Sequence, residues 1–255
     1  MKKLILISAL LFSFNGLAYN ETDLAKFKVL NACMDCDLSG ADLSDANFTG
    51  ARLTGANLEG ANLSNAILFD ANLKSANFTG ADLTGANLSN ANLDSANLDR
   101  AVLTGANLTS ATLIGATLEN AFSLDADLTA TNLSYANLSG AVLERASLTG
   151  AILFDADFSS ATLIGAVLER AVSLDANFTG ARLTGANLSD SMFLGVDLTG
   201  ANLIGANFTG ADLTGANLTG VDFTFAVNLR NTNLDSAKFC KTQMPWGEVN
   251  DDCAE

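Results

Sequence analysis

"ANFTGADLTGANLSN", residues 76–90, divides into ANFTG, ADLTG and ANLSN, and each five reads small apolar, Asn or Asp, large apolar, Ser or Thr, small. The frame extends outward from this stretch without insertion or deletion. Residues 36–225 form 38 consecutive fives; the third residue is Leu or Phe in 36 of them, and the first is Ala in 33, the others being Cys36, Thr131, Ser191, Val196 and Val221. A period of five rules out an α-helix, because five steps of about 100° set successive leucines roughly 140° apart around the cylinder. Extended chain accounts for the pattern: Ala in, Asn or Asp out and Leu in follows the strand period of two, and two residues remain to turn a corner. Asn, Asp, Ser and Gly suit those corners, since they bond locally to the backbone or accept unusual φ. The fold class expected is all-β.

Two fives break the frame. Ser123 and Ser173 stand where Leu or Phe belongs, flanked by Phe122 and Leu124 in one and by Val172 and Leu174 in the other. A local bulge or bend is expected at each, with Ser failing to fill the slot. The stretch ATLIGATLENAFSLD (111–125) returns as ATLIGAVLERAVSLD (161–175), a displacement of 50 residues.

These fives resemble the pentapeptide-repeat family. The resemblance implies a right-handed quadrilateral β-helix with four fives per coil, and so about 10 coils of 20 residues, in which residues 20 apart stack on one side. On that lattice two opposite faces carry apolar residues where polar ones are expected. One stacks Val102, Phe122 with Leu124, Val142 and Ile164, then Ile204; the other stacks Ile114, Tyr135, Ile152 with Phe154, Val172 with Leu174, and Met192 with Leu194. Such a ladder is either packing between coils, copied by the duplication, or a contact surface for a protein partner or for self-association.

The ends read differently. Met1-Lys2-Lys3, an apolar run from Leu4 to Phe14 and small residues at Gly16 and Ala18 describe a secretory signal over 1–18. Its removal would take Lys2 and Lys3 and move the formal charge from −15 to −17. Residues 19–35 are expected to form a cap with a short amphipathic helix carrying Leu24, Phe27 and Leu30 inward. After 36–225 the frame slips by one place over 226–241, where Leu229, Leu234 and Phe239 continue the period, and 242–255 form a closing loop. Cys33 and Cys36 sit at one end, Cys240 and Cys253 at the other. For an exported chain two local disulfides are the natural reading; a shared zinc site would need all four together, and a redox-active Cys33-x-x-Cys36 is the remaining alternative. The closing stretch FCKTQMPWGEVNDDC also resembles the C-terminal cap of some exported members of the family.

The chain has 28 acidic and 13 basic residues and no histidine. The charge argues against binding nucleic acid or anionic lipid, so neither is expected as a partner. Absence of His removes the usual general base, and with it Ser–His and Cys–His chemistry. Acid pairs such as Asp125 with Asp127 and Asp155 with Asp157 have the residue types of a hydrolase, but a convex rod gives them no cleft. The Thr109, Thr129 and Thr149 stack that an ice-binding face would need is interrupted by Glu169. The reading is a non-catalytic, exported scaffold, periplasmic or secreted, with no cofactor. The alternative implied by the resemblance is a DNA-mimicking, gyrase-binding protein of the quinolone-resistance type, which the signal segment disfavours.

Overall fold

The computed structural model describes residues 19–251 and Cys253; the expected signal segment lies outside the described residues. From Ala32 to Val227 the chain returns alongside itself every twenty residues. Parallel bridges join Asn57 to Asn77, Asn77 to Asn97 and so on, with four bridge positions, five residues apart, in each lap. Two three-residue strands stand out, β1 (Val172–Leu174) and β2 (Met192–Leu194), parallel and one lap apart.

A regular five satisfies its own backbone. In the five 76–80, Ala76 N–H closes a turn on Leu73 O (3.0 Å), Asn77 N–H donates to Ala56 O of the preceding lap (2.9 Å), and Phe78 and Gly80 N–H donate to Asn97 and Asp99 of the following lap (2.6 and 2.9 Å). The remaining donor, Thr79 N–H, is taken by Asn77 Oδ1 at 3.1 Å. That last bond explains the Asn or Asp in second place: its side chain reaches the donor two residues on, the Asx-turn geometry. The fifth residue is the corner. It adopts positive φ throughout, from Asp155 at 52° to Gly215 at 71°, which Gly, Asn and Asp tolerate best.

The first and third residues of each five form one continuous core, with Ala and Leu or Phe almost wholly buried along its length. Polar residues at the inward Ala position are tied down. Thr131 Oγ1 donates to Leu108 O (3.1 Å) and Ser191 Oγ to Leu188 O (2.7 Å).

Three expectations need correction. No bulge interrupts the chain at Ser173, because Val172, Ser173 and Leu174 pair one to one with Met192, Phe193 and Leu194; of the bulge or bend expected there the structure has the bend, at Asp175, as it does at Gly195 beyond Phe193. At Ser123 the bond from its N–H to Val142 O (2.7 Å) keeps the regular pattern. The ladder is set by backbone bonds common to every residue, so an undersized side chain leaves the register alone; around Ser173, Phe178 and Phe193 pack with ring centroids 5.2 Å apart.

The third correction concerns the N-terminal helix, α1 (Glu21–Leu30), capped by Asn20 Oδ1 on the Thr22 and Asp23 N–H groups. Phe27 is fully buried against Phe48 (ring centroids 4.5 Å) and Leu24 packs partly on the core, but Leu30 is 61% exposed. Spacing of three advances 300° per step, so the third residue has rotated about 120° away from the first.

At the other end, Leu229–Asn231 form a single 3-10 turn that takes up one extra residue. Beyond it Asp212 pairs with Asn233 and Asp222 with Gln243, 21 apart instead of 20. An antiparallel hairpin closes the chain, β3 (Thr242–Met244) against β4 (Gly247–Val249). Among the described residues no helix is long and apolar enough to cross a membrane.

Candidate functional site

The two apolar ladders follow from the lap. Bridges stack Val102 on Phe122 and Phe122 on Val142 on one face, and Ile152 on Val172 and Val172 on Met192 on the opposite one. In the fourth places Leu174 pairs with Leu194, and Phe154 O accepts the N–H of Tyr135 (2.7 Å). The two faces differ in what they show to solvent. On the first only Phe122 is exposed, with Val102, Leu124, Val142 and Ile164 half-buried. On the second Ile114, Tyr135, Phe154, Leu174 and Met192 are all exposed, over half-buried Ile152, Val172 and Leu194.

An apolar residue in second place has no acceptor for the donor two residues on. Ile152, Val172 and Met192 therefore each give up the side-chain bond that Asn77 makes, worth roughly 0.5–1.5 kcal/mol. Cross-strand apolar pairs return about 0.2–1 kcal/mol each. The exchange is close to neutral for the fold, so folding stability alone does not account for the ladder. Tyr135 carries a further cost, since it holds a corner at φ 60°, a region that bulky side chains avoid.

Acids border this face at the corners Asp155, Asp175 and Asp190 and at Glu169, with Arg170 at a corner among them. Asp155 and Asp175 directly follow Phe154 and Leu174, while Glu169 and Asp190 precede Val172 and Met192. Arg170, on that second edge, pairs with Glu169 at 3.0 Å. On the other ladder Arg145 makes a two-pronged pair with Asp125 (2.8 and 2.7 Å), and the hydrogen bond from Arg145 holds the Asp125 carboxyl below its ordinary range.

One acid of each pair serves the scaffold. Asp127 accepts from Thr129 N–H (2.9 Å) and Asp157 from Ser159 N–H and Asn177 Nδ2 (2.8 and 3.0 Å), the same Asx role as Asn77. Disulfides join Cys33 to Cys36 and Cys240 to Cys253, with Cα atoms 5.4 and 4.8 Å apart. Asp23 lies beside the first pair, and the three potential ligand atoms fall within 4.8 Å. The two sulfurs are bonded to each other, and the Asp23 carboxylate accepts from Asp37 N–H at 3.1 Å.

Sequence reading missed the C-terminal corner. Phe225 is 79% exposed at φ 60°, and beside Ala226 a shallow groove of about 370 Å³ is lined by Leu229, Arg230, Pro245 and Trp246. The Arg230 guanidinium lies 4.6 Å from the Trp246 ring centroid. The available signal was an aromatic in a fifth place, where Gly, Asp, Asn or Ser is usual.

Comparison with known proteins gives one family. The family model described as pentapeptide repeats matches eight copies, over 33–68, 66–105, 86–122, 124–159, 151–190 and 193–226. No curated protein matches. Among solved structures the chain is similar to HetL, a pentapeptide repeat protein involved in heterocyst differentiation regulation in the cyanobacterium Nostoc, at 31% identity over 91% of this chain and 100% of that one (TM-score 0.45). A pentapeptide repeat protein of the Arabidopsis thaliana thylakoid lumen is 38% identical over 41% of this chain and 72% of its own (TM-score 0.40). Full-length QnrB1, a plasmid-mediated fluoroquinolone resistance protein, is 19% identical over 78% and 95% (TM-score 0.39). With the repeat model matching across most of 33–226 and the twenty-residue lap carrying it, the chain belongs to the pentapeptide-repeat family.

Proposed function

We propose that this protein is an exported, non-catalytic interaction scaffold, a right-handed square tube of about ten coils closed by caps at 19–35 and 242–255. Its contact surface is the face of Ile114, Tyr135, Ile152, Phe154, Val172, Leu174, Met192 and Leu194. The observation that carries the reading is the replacement of bond-forming Asn or Asp by exposed apolar side chains over successive laps of one face. The lesser ladder of Val102, Phe122, Leu124, Val142 and Ile164, mostly half-buried, is assigned to packing between coils. Met1-Lys2-Lys3 and the apolar run after it support export to the periplasm or beyond.

The test is a photo-crosslinking residue placed at Leu174, at Val142 and at Asn97 in separate variants expressed in the native cell. Crosslinks to another protein from Leu174, absent from Asn97, support the scaffold; a chain that crosslinks from none of the three refutes it. Fractionation of the same cells tests the location. A mature protein confined to the cytoplasm would remove the export reading and favour the gyrase-directed alternative.

A further inference from the structure

The Phe154 and Leu174 face is bordered by acids on one edge and by a mixed but acid-rich set on the other, in a protein whose formal charge is −15. Asp155 and Asp175 stand at one edge, and Glu169 and Asp190 at the other, with Arg170 drawn to Glu169. Backbone groups on this face are already engaged with the laps on either side. Val172 N–H donates to Ala151 O (2.9 Å) and Val172 O accepts from Leu153 N–H (2.8 Å), so the ladder positions of this face are taken up by the neighbouring laps and are closed to a partner strand. The face offers apolar side chains within a frame that is acidic apart from Arg170, whose charge is offset by Glu169.

Its dimensions narrow the occupant. Five laps from Ile114 to Leu194, at about 4.8 Å each, give a stripe roughly 20 Å long, and three residues of extended chain make it about 10 Å wide. An α-helix of about 13 residues is 20 Å long and about 10 Å across, and all its backbone bonds are internal. A second copy of this chain fits poorly. It would bring Asp155 and Asp175 against acids of the same kind, and a stripe on the order of 200 Å² falls well short of the roughly 800 Å² per partner of a stable complex.

We infer that this face receives a basic amphipathic helix of another protein, its apolar stripe on Phe154, Leu174 and Met192 and its Lys or Arg side chains at the acidic corners. The inference rests on the scaffold reading above and names the partner's chemistry. An interface this small binds weakly, with an affinity in the micromolar range, and loses strength as salt screens the frame.

A fluorescently labelled peptide of 14 leucines and lysines, with leucine on one helical face, is titrated with the full chain and followed by anisotropy. Phe154→Ser with Leu174→Ser should weaken binding by roughly tenfold or more. Asp155→Asn with Asp175→Asn should weaken it several-fold and flatten its salt dependence. The same peptide with Glu for every Lys should not bind. Circular dichroism melts of both variants identify any that has failed to fold, and Leu174→Gln alone then replaces the apolar pair. Equal binding by the acidic peptide, or binding that neither pair of substitutions changes, overturns the inference. So does a wild-type dimer abolished by Phe154→Ser with Leu174→Ser, which assigns the face to a second copy. If the peptide fails while Leu174 still crosslinks to another protein in cells, the scaffold stands and the basic helix falls; if both fail, the scaffold reading falls with it.

Discussion

Replacing Ser173 by Ala should stabilise the protein. The Ser173 hydroxyl is fully buried and has no hydrogen-bond partner, with Phe193 stacked on it one lap away. A buried, unsatisfied hydroxyl costs about 1–3 kcal/mol. Alanine keeps Cβ and removes the oxygen. The void it leaves, on the order of 15 Å³, returns only about 0.4 kcal/mol of that gain at 24 cal/mol per Å³. The net expectation is a gain of about 1–2 kcal/mol, or roughly 2–8 °C in Tm for a chain of this size. Ser191→Ala is the control: the same substitution at a buried serine two residues before Phe193 removes the 2.7 Å bond to Leu188 O and should cost about 0.5–1.5 kcal/mol. Thermal and urea unfolding of the two variants beside the wild type read the signs directly. A Ser173→Ala protein that melts at or below the wild-type temperature would refute the reasoning, because it would show that the hydroxyl is satisfied.

Tyr135→Gly should raise stability by about 1 kcal/mol, by relieving a bulky residue at φ 60°, and should at the same time weaken whatever binds the Phe154 face; a melt and a binding titration on one sample check both. Reduction of Cys240–Cys253, whose cysteines are 13 residues apart, should lower stability by about 2–4 kcal/mol and release the β3–β4 hairpin first, which amide exchange with and without reductant will show. Hydrogen bonds hold three carboxyls, Asp37, Asp42 and Asp125, below their ordinary 3.8, chiefly from Ser39, Ser44 and Arg145. Their contribution is complete above that value and is lost as pH falls through the lowered ones, so with no histidine to titrate, stability should be level from pH 5 to 8 and decline below about pH 4.

The lap was legible because it is written in side-chain size. Leu or Phe every fifth residue can be buried only if the chain turns at the same interval, and the apolar ladders then stack through the register alone. The Asx bond was half legible: Asn and Asp marked a local hydrogen bond, but the donor that Asn77 takes, at Thr79, depends on a turn geometry the letters do not carry. Leu30 was misread because spacing of three looks helical over two residues and drifts over three. Ser123 and Ser173 were misread for a different reason. A break in the side-chain pattern is not a break in the backbone when the ladder N–H of the third residue is bonded whatever side chain it bears. The exposed Phe225 and the Arg230–Trp246 contact were hidden because the 3-10 turn at Leu229–Asn231 shifts the frame where the fives end.

A lap of twenty residues converts sequence distance into compass bearing. Gain or loss of a single five turns everything downstream by a quarter circle, and only whole laps leave bearings unchanged. ATLIGATLENAFSLD (111–125) and its near-repeat ATLIGAVLERAVSLD (161–175) lie 50 residues apart, two and a half laps, so the like residues of the two stretches stand half a lap from one another. Chain length here behaves as a steering variable, and a lineage that duplicates odd multiples of ten residues obtains a two-sided molecule without designing a second side.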